Sequence, residues 1–247
     1  VAMMTFSLVS LGAWFLGNDY QSSLEQLAHQ HSRVQSAKHH IHHLAMHDGL
    51  TGLPNRIMAA NNFDALYQQA QLSNSMLGII FIDLDNLKPI NDSLGHQAGD
   101  QILKEVALRL LSFTKSSERV CRFGGDEFIV FLPDITSEED ASAASRLILQ
   151  IISDNYVYRG IEIFCTCSIG IALAPQDGED LDTLIKKADI AMYHSKDSGR
   201  NSFRFFNSAI SHSMHDHISL ISGMRKALSD NQFSLYYQPK IDLASNR

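Results

Sequence analysis

The chain has 247 residues, 45% hydrophobic and 19% charged, the proportions of an ordinary globular protein with room for one well-buried domain and flanking pieces. Its 20 Lys and Arg against 27 Asp and Glu leave a net charge of −7, which excludes a global cationic field for holding nucleic acid. A phosphate-bearing ligand would therefore need a few locally placed cations.

Residues 1–17 carry no charge and include Trp14, Phe15 and Leu16. A complete membrane-spanning helix needs about 20 apolar residues. The segment reads as the cytoplasmic end of a transmembrane helix, with a buried or interfacial sensor helix as the alternative. It has neither a basic leader nor a cleavage site, which argues against a signal peptide. Residues 18–47 form a polar helical stalk, free of Gly and Pro from residue 21 onward. Leu24, Leu27, His31, Val34, Lys38, Ile41 and Ala45 recur there at spacings of three and four, a stripe suited to pairing with a second copy. Of the 12 histidines, 7 cluster in this stretch, and His39 and His43 would share a helix face. That pair reads either as a metal site or as part of a solvated, His-rich face.

A Gly- and Pro-punctuated loop at residues 48–56 precedes a predicted helix over 57–71. Residues 76–84 (MLGIIFIDL) read as a buried strand and 96–113 as an amphipathic helix. Residues 120–132 hold two strand-like pieces split by Gly124-Gly125-Asp126-Glu127, the pattern of a hairpin. Helix over 137–153, strand over 161–173 and helix over 181–195 complete an alternating α/β (α+β) domain. Cys121, Cys165 and Cys167 form neither a disulfide framework nor a zinc pattern and read as small buried thiols, the last two on one strand face.

Carboxylates carry the chemistry. Asp83 and Asp85 end the buried strand, while Asp126 and Glu127 occupy the hairpin turn. If the two elements are neighbours, the acidic groups converge, and oxygen ligands without His or Cys suit Mg²⁺ or Mn²⁺. Gly124 and Gly125 permit positive φ and clear side chains from a bound ligand.

The run Arg122-Phe123-Gly124-Gly125-Asp126-Glu127-Phe128 resembles the GGDEF family, and matches spread in family order over residues 44–207. Asp48-Gly49-Leu50-Thr51-Gly52-Leu53-Pro54-Asn55-Arg56 is similar to the family's opening motif. Asp83-Leu84-Asp85 leads into Lys88, Asn91, Asp92, Gly95, His96, Gly99 and Asp100, similar to the metal and guanine segment. Thr166, Ser168 and Gly170 match a late core strand, and Ala188-Asp189 through Lys196, Gly199 and Arg200 match the closing motif.

The resemblance implies a mainly antiparallel, five-stranded sheet wrapped by helices, like the nucleotidyl cyclase palm. It implies a diguanylate cyclase that condenses two GTP into cyclic di-GMP and two pyrophosphates as a homodimer, joined through this domain and the stalk. Asp83, the Leu84 backbone, Asp126 and Glu127 would hold the metal, with Asp126 and Glu127 catalytic. Lys88, Lys196 and Arg200 would grip phosphates, and Asn91 and Asp100 would read guanine. Lys115-Ser116-Ser117-Glu118 stands where the family has its Arg-x-x-Asp product-inhibition site, and Lys cannot reproduce the guanidinium fork, so inhibition should be weak.

The segment 208–247, with Leu235-Tyr236-Tyr237-Gln238-Pro239-Lys240, is similar to the opening of an EAL phosphodiesterase domain, expected as a linker helix and first strand. The GGDEF domain itself is expected over 48–207. Location at the inner membrane, with this domain in the cytoplasm, follows from the reading of residues 1–17. The alternative function is a catalytically silent GTP-binding module that controls an attached EAL phosphodiesterase.

Overall fold

The structure, a computed structural model, describes residues 29–35, 38, 41, 44–207, 223–224, 226–230 and 232–237. Asn55 caps the first full helix, α1 (Arg56–Leu72), its side chain accepting from the Ile57 and Met58 amides. The chain continues through β1 (Met76–Leu84), α2 (Leu87–Leu94), α3 (His96–Thr114), a 3₁₀ turn (Ser117–Arg119), β2 (Val120–Gly124) and β3 (Glu127–Ile135). It then forms α4 (Glu138–Ser153), β4 (Tyr156–Tyr158), β5 (Ile161–Ile163), β6 (Cys167–Ala174), α5 (Leu181–Asp197) and β7 (Phe203–Phe205).

Five strands pair in the order β2-β3-β1-β6-β7. The first three pairings are antiparallel and β6–β7 is parallel. The expected sheet is therefore present, with β1 at its centre.

The unbroken apolar run of β1 serves two faces, because alternate side chains point to opposite sides. Ile80, Ile82 and Leu84 join Ile102, Val106 and Leu110 of α3 and Ile148 and Ile152 of α4 in one core. Leu77, Ile79 and Phe81 join Ala59 and Phe63 of α1 and Leu184, Ala188 and Met192 of α5 in the other. Helices thus cover both faces. The α5 layer rests directly on β6 at Gly170, where a Cβ would stand 1.8 Å from the Ala188 carbonyl oxygen and 2.4 Å from the Met192 nitrogen.

Two expectations need correction, and two elements are additional. The strand anticipated over 161–173 is two elements, since β5 turns back on β4 as a separate two-stranded hairpin and β6 begins only at Cys167. Gly160, with φ +81°, makes the tight return that the apolar pattern conceals. Cys165 therefore precedes β6 rather than lying on it, although it and Cys167 are both buried in one core. The short helix α2, with Pro89 at its third position, has no counterpart in the sequence-based reading; proline fits a first turn, where its missing N–H is not needed. The parallel edge strand β7 is also additional.

Residues 1–17 and the His39/His43 pair lie outside the described residues. Among those described, no helix is long and apolar enough to cross a membrane. Residues 29–35, 38, 41 and 44–46 of the stalk are helical, with Val34 and Ile41 each 66% exposed. In the tail, residues 223–224 and 226–229 are helical, whereas 232–237 form no strand and Leu235, Tyr236 and Tyr237 are exposed. A single strand needs a neighbour to supply its ladder, and this stretch pairs with none among the described residues.

Candidate functional site

The register of β1 against β3 brings the two acidic stretches together. Asp83 lies directly opposite Glu127, and Asp126 precedes Glu127 in the turn. Directly opposed residues project to the same face. The turn is tied to the end of β1 by the Leu84 amide, which donates to the Asp126 carbonyl at 3.2 Å. Only Gly125 of the glycine pair takes positive φ, at 48°. Gly124 ends β2 without that conformation, which narrows the expected role of the pair.

Arg122 braces this turn. Its Nε and Nη2 donate to the Gly125 carbonyl at 3.0 and 2.6 Å, and its Nη1 donates to Asp48 Oδ1 at 2.9 Å. Burial opposes ionisation of Asp48, but hydrogen bonds from Thr51 and Arg122 overcome it and hold the carboxyl below its ordinary range. Through Arg122, Asp48 of the opening motif thus anchors the hairpin turn. Arg122 was visible in the motif, but nothing in the linear pattern said what it would grip.

From the other side comes α5. Lys196 Nζ lies 2.7 Å from Asp83 Oδ1. That oxygen is buried and, the ion pair aside, has no hydrogen-bond partner. Burial pushes the Asp83 carboxyl up, with Asp126 and Asp85 adding repulsion and Lys196 opposing it. Glu127 is likewise raised, first by burial and then by the charges of Asp83, Asp189 and Asp126.

Asp85 has a different task from Asp83. Its Oδ2 accepts from Thr166 Oγ1 at 2.7 Å and from the Asn201 amide at 3.2 Å, and its Oδ1 accepts from Ser168 Oγ at 2.8 Å. With its lone pairs so engaged, it pins the start of β6 and the left-handed turn at Arg200 (φ 64°) and Asn201 (φ 44°). It is structural, not a free ligand, and it positions Arg200.

Two cavities adjoin and share Leu87, Lys88 and Asp126. One, of about 220 Å³, is lined by Asp83, Leu84, Lys88, Asp126, Lys196 and Arg200 among others. Its neighbour, of about 370 Å³, is lined by Asn91, Asp92, His96, Leu103, Arg122 and Gly125 together with the shared residues. Cations and carboxylates therefore line the first, and a mixed polar and apolar wall lines the second. Asp100 is exposed on α3 and outside the lining of both. Lys115 is an exposed left-handed residue (φ 54°) after α3, and Glu118 lies in the following 3₁₀ turn.

Among the described residues, no group of three or more His, Cys, Asp or Glu side chains is preassembled for a metal ion. Mg²⁺ commonly takes only one or two protein carboxylates and completes its shell with water and substrate phosphates. The buried Asp83 carboxylate, which Lys196 contacts, together with Asp126 at the same cavity is a donor set of that kind. The cysteines are inert by contrast: burial pushes the Cys121 and Cys165 thiols up to about 12 and raises Cys167 well above its usual value.

Fold and site together define an α/β domain with a charged cleft at the β1 end, built from an acidic hairpin turn and a cationic helix end. The chain belongs to the GGDEF family: the model described as "Diguanylate cyclase, GGDEF domain" matches residues 45–202, more than half of it. It is 38% identical over 203 residues to the bifunctional diguanylate cyclase/cyclic di-GMP phosphodiesterase MucR of Pseudomonas aeruginosa, covering 82% of this chain and 29% of MucR. It is 34% identical to the cyclic di-GMP phosphodiesterase NbdA of the same organism, covering 98% of this chain and 31% of NbdA. The chain thus spans about a third of the length of these curated relatives. Among solved structures, the GGDEF domain of P. aeruginosa TpbB (YfiN) superposes with a TM-score of 0.64 at 33% identity, covering 68% of this chain and 99% of that one.

Proposed function

We propose that this domain is a diguanylate cyclase, condensing two GTP into cyclic di-GMP with release of two pyrophosphates. The observation that carries the reading is the meeting of Asp83 and Asp126 with Lys88, Lys196 and Arg200 at one cavity, with Glu127 opposite Asp83 in the ladder and a second cavity of a size and lining to accept a purine alongside.

In this reading Lys88, Lys196 and Arg200 neutralise the triphosphate, which an otherwise acidic chain must do locally. Asn91 would read the guanine edge from the larger cavity, and Asp100, exposed outside its lining, would have to reach that edge from the rim. Asp83, Asp126, the Leu84 carbonyl and Glu127 are the groups that would hold Mg²⁺ or Mn²⁺, and such an ion supplies charge neutralisation at phosphate and a lowered pKa for a nearby hydroxyl. Each ribose 3′-oxygen attacks the α-phosphorus of the other GTP. The bond to pyrophosphate breaks as the new ester forms, and the hydroxyl proton passes to a carboxylate. Glu127, its carboxyl raised by burial and neighbouring negative charge, is the group suited to accept it. One domain offers one such cleft, so two copies must face each other. The exposed Val34 and Ile41 on the stalk helix support pairing there.

The wider organisation belongs to the same proposal: a membrane anchor over residues 1–17, an inner-membrane location with this domain in the cytoplasm, and an EAL domain opening within 208–247. A second reading, a silent GTP-binding module governing an attached phosphodiesterase, draws support from the likeness to NbdA, whose name is that of a phosphodiesterase. Incubation with GTP and Mg²⁺ followed by chromatography separates the two. Cyclic di-GMP from the wild type, and a loss of about a hundredfold or more in Asp126→Ala with its fold intact, establishes the first; GTP bound and returned unchanged establishes the second.

A further inference from the structure

Gly99 sits buried near the start of α3, where that helix packs on α2. A Cβ at this position would stand 2.1 Å from Asn91 Oδ1, 2.9 Å from its Cγ and 3.1 Å from its Nδ2. The carboxamide oxygen and carbon would be struck and its nitrogen crowded. The Asn91 head therefore lies against the bare Cα of Gly99, in a place that exists only while residue 99 has no side chain. Glycine inside a helix costs about 1 kcal/mol relative to alanine, so the room it leaves is bought against the local preference.

An independent observation shows what that room is for. Asn91 Oδ1 is buried and has no hydrogen-bond partner, and Asn91 lines the larger cavity with His96, Leu103 and Arg122. A buried amide without a partner is destabilising until a ligand completes it. Guanine offers N–H donors at N1 and at its 2-amino group, whereas adenine has an acceptor at N1 and no 2-amino group.

We infer that Gly99 is the specificity-determining position of this cleft: by lacking a side chain it holds the Asn91 carboxamide where a purine is selected as guanine rather than adenine. The inference rests on the nucleotide-binding reading above. Gly99 touches no ligand and acts wholly through Asn91, as a positioning residue.

The test is equilibrium binding to the whole chain, with magnesium, of the α,β-methylene analogues of GTP and ATP, which cannot release pyrophosphate. Wild type, Gly99→Ala, Asn91→Ala and the double variant are compared. Gly99→Ala is expected to weaken the guanine analogue about tenfold or more while leaving the adenine analogue within about twofold. Asn91→Ala should show the same loss, and the double variant no further loss, because both changes remove one interaction. Thermal unfolding adds a readout: Gly99→Ala should lower the melting temperature only while Asn91 is present, and be neutral or stabilising on the Asn91→Ala background. A guanine preference retained in Gly99→Ala, or additive losses in the double variant, overturns the inference. Should Gly99→Ala not fold, the double variant must fold and discriminate as Asn91→Ala does; its failure to do so also overturns it. A wild type that binds both analogues alike leaves the nucleotide reading standing and overturns this inference; one that binds neither removes both together.

Discussion

Asp83 and Glu127 face each other across the β1–β3 ladder, two carboxyls on one side of the sheet with Asp126 beside them. Like charges directly opposite destabilise a ladder, and Lys196 relieves only part of this through its contact with Asp83. Both carboxyls are accordingly raised above their ordinary values, with burial the first cause in each. A group whose folded pKa is raised lends stability that is present below its unfolded value and lost as pH rises through the folded value.

The metal-free domain should therefore lose stability as pH climbs from the ordinary carboxylate range through the raised pKa values of Asp83 and Glu127. Glu127→Gln removes one of the repelling charges and should flatten that loss and raise the melting temperature at neutral pH, while abolishing cyclisation. Calorimetric scans of both proteins between pH 4 and 8, in chelator, check it. A variant that melts lower than the wild type at neutral pH would contradict the repulsion.

Asp85 holds Thr166, Ser168 and the Asn201 amide from a buried position. Asp85→Ala orphans those donors and should cost about 2–4 kcal/mol in urea unfolding. Since Asn201 follows Arg200, triphosphate affinity should fall as well, without any change to a phosphate-touching residue. Unchanged affinity in a folded Asp85→Ala would sink the positioning role.

Gly170→Ala places a methyl group against the Ala188 carbonyl and the Met192 nitrogen, both backbone atoms that cannot rotate away. Overpacking of this kind costs about 1–3 kcal/mol, more where backbone must shift. The expected result is a lowered urea midpoint with an unchanged slope.

Lys115 and Glu118 keep the charge signs of a product site without the guanidinium fork. Turnover in added cyclic di-GMP should show weak inhibition or none, and Lys115→Arg should strengthen it. Potent inhibition of the wild type at low micromolar product would count against this.

What the linear order carried was the set of periodic elements and the motif residues. The β1 run (Met76–Leu84), the hairpin split at Gly124-Gly125 and the amphipathic α3 and α5 were legible, because alternation and 3.6-residue spacing are local properties. The chemistry-bearing Asp83, Asp126, Lys88, Lys196 and Arg200 were legible as members of separate motifs, and the fold gathers these five at one cavity. Asp83 and Asp85, two residues apart and both acidic, looked alike in the sequence. Only the fold distinguishes them, since Asp85 meets Thr166, Ser168 and Asn201 from distant parts of the chain while Asp83 lines the cavity and pairs with the Lys196 ammonium. The same holds for Gly99 and Gly170: a missing side chain marks a close approach, but which atoms approach is a property of how helices pack on helices and sheets. Residue identity set which groups were available; long-range packing decided which of them were spent on holding the structure and which were left free for a ligand.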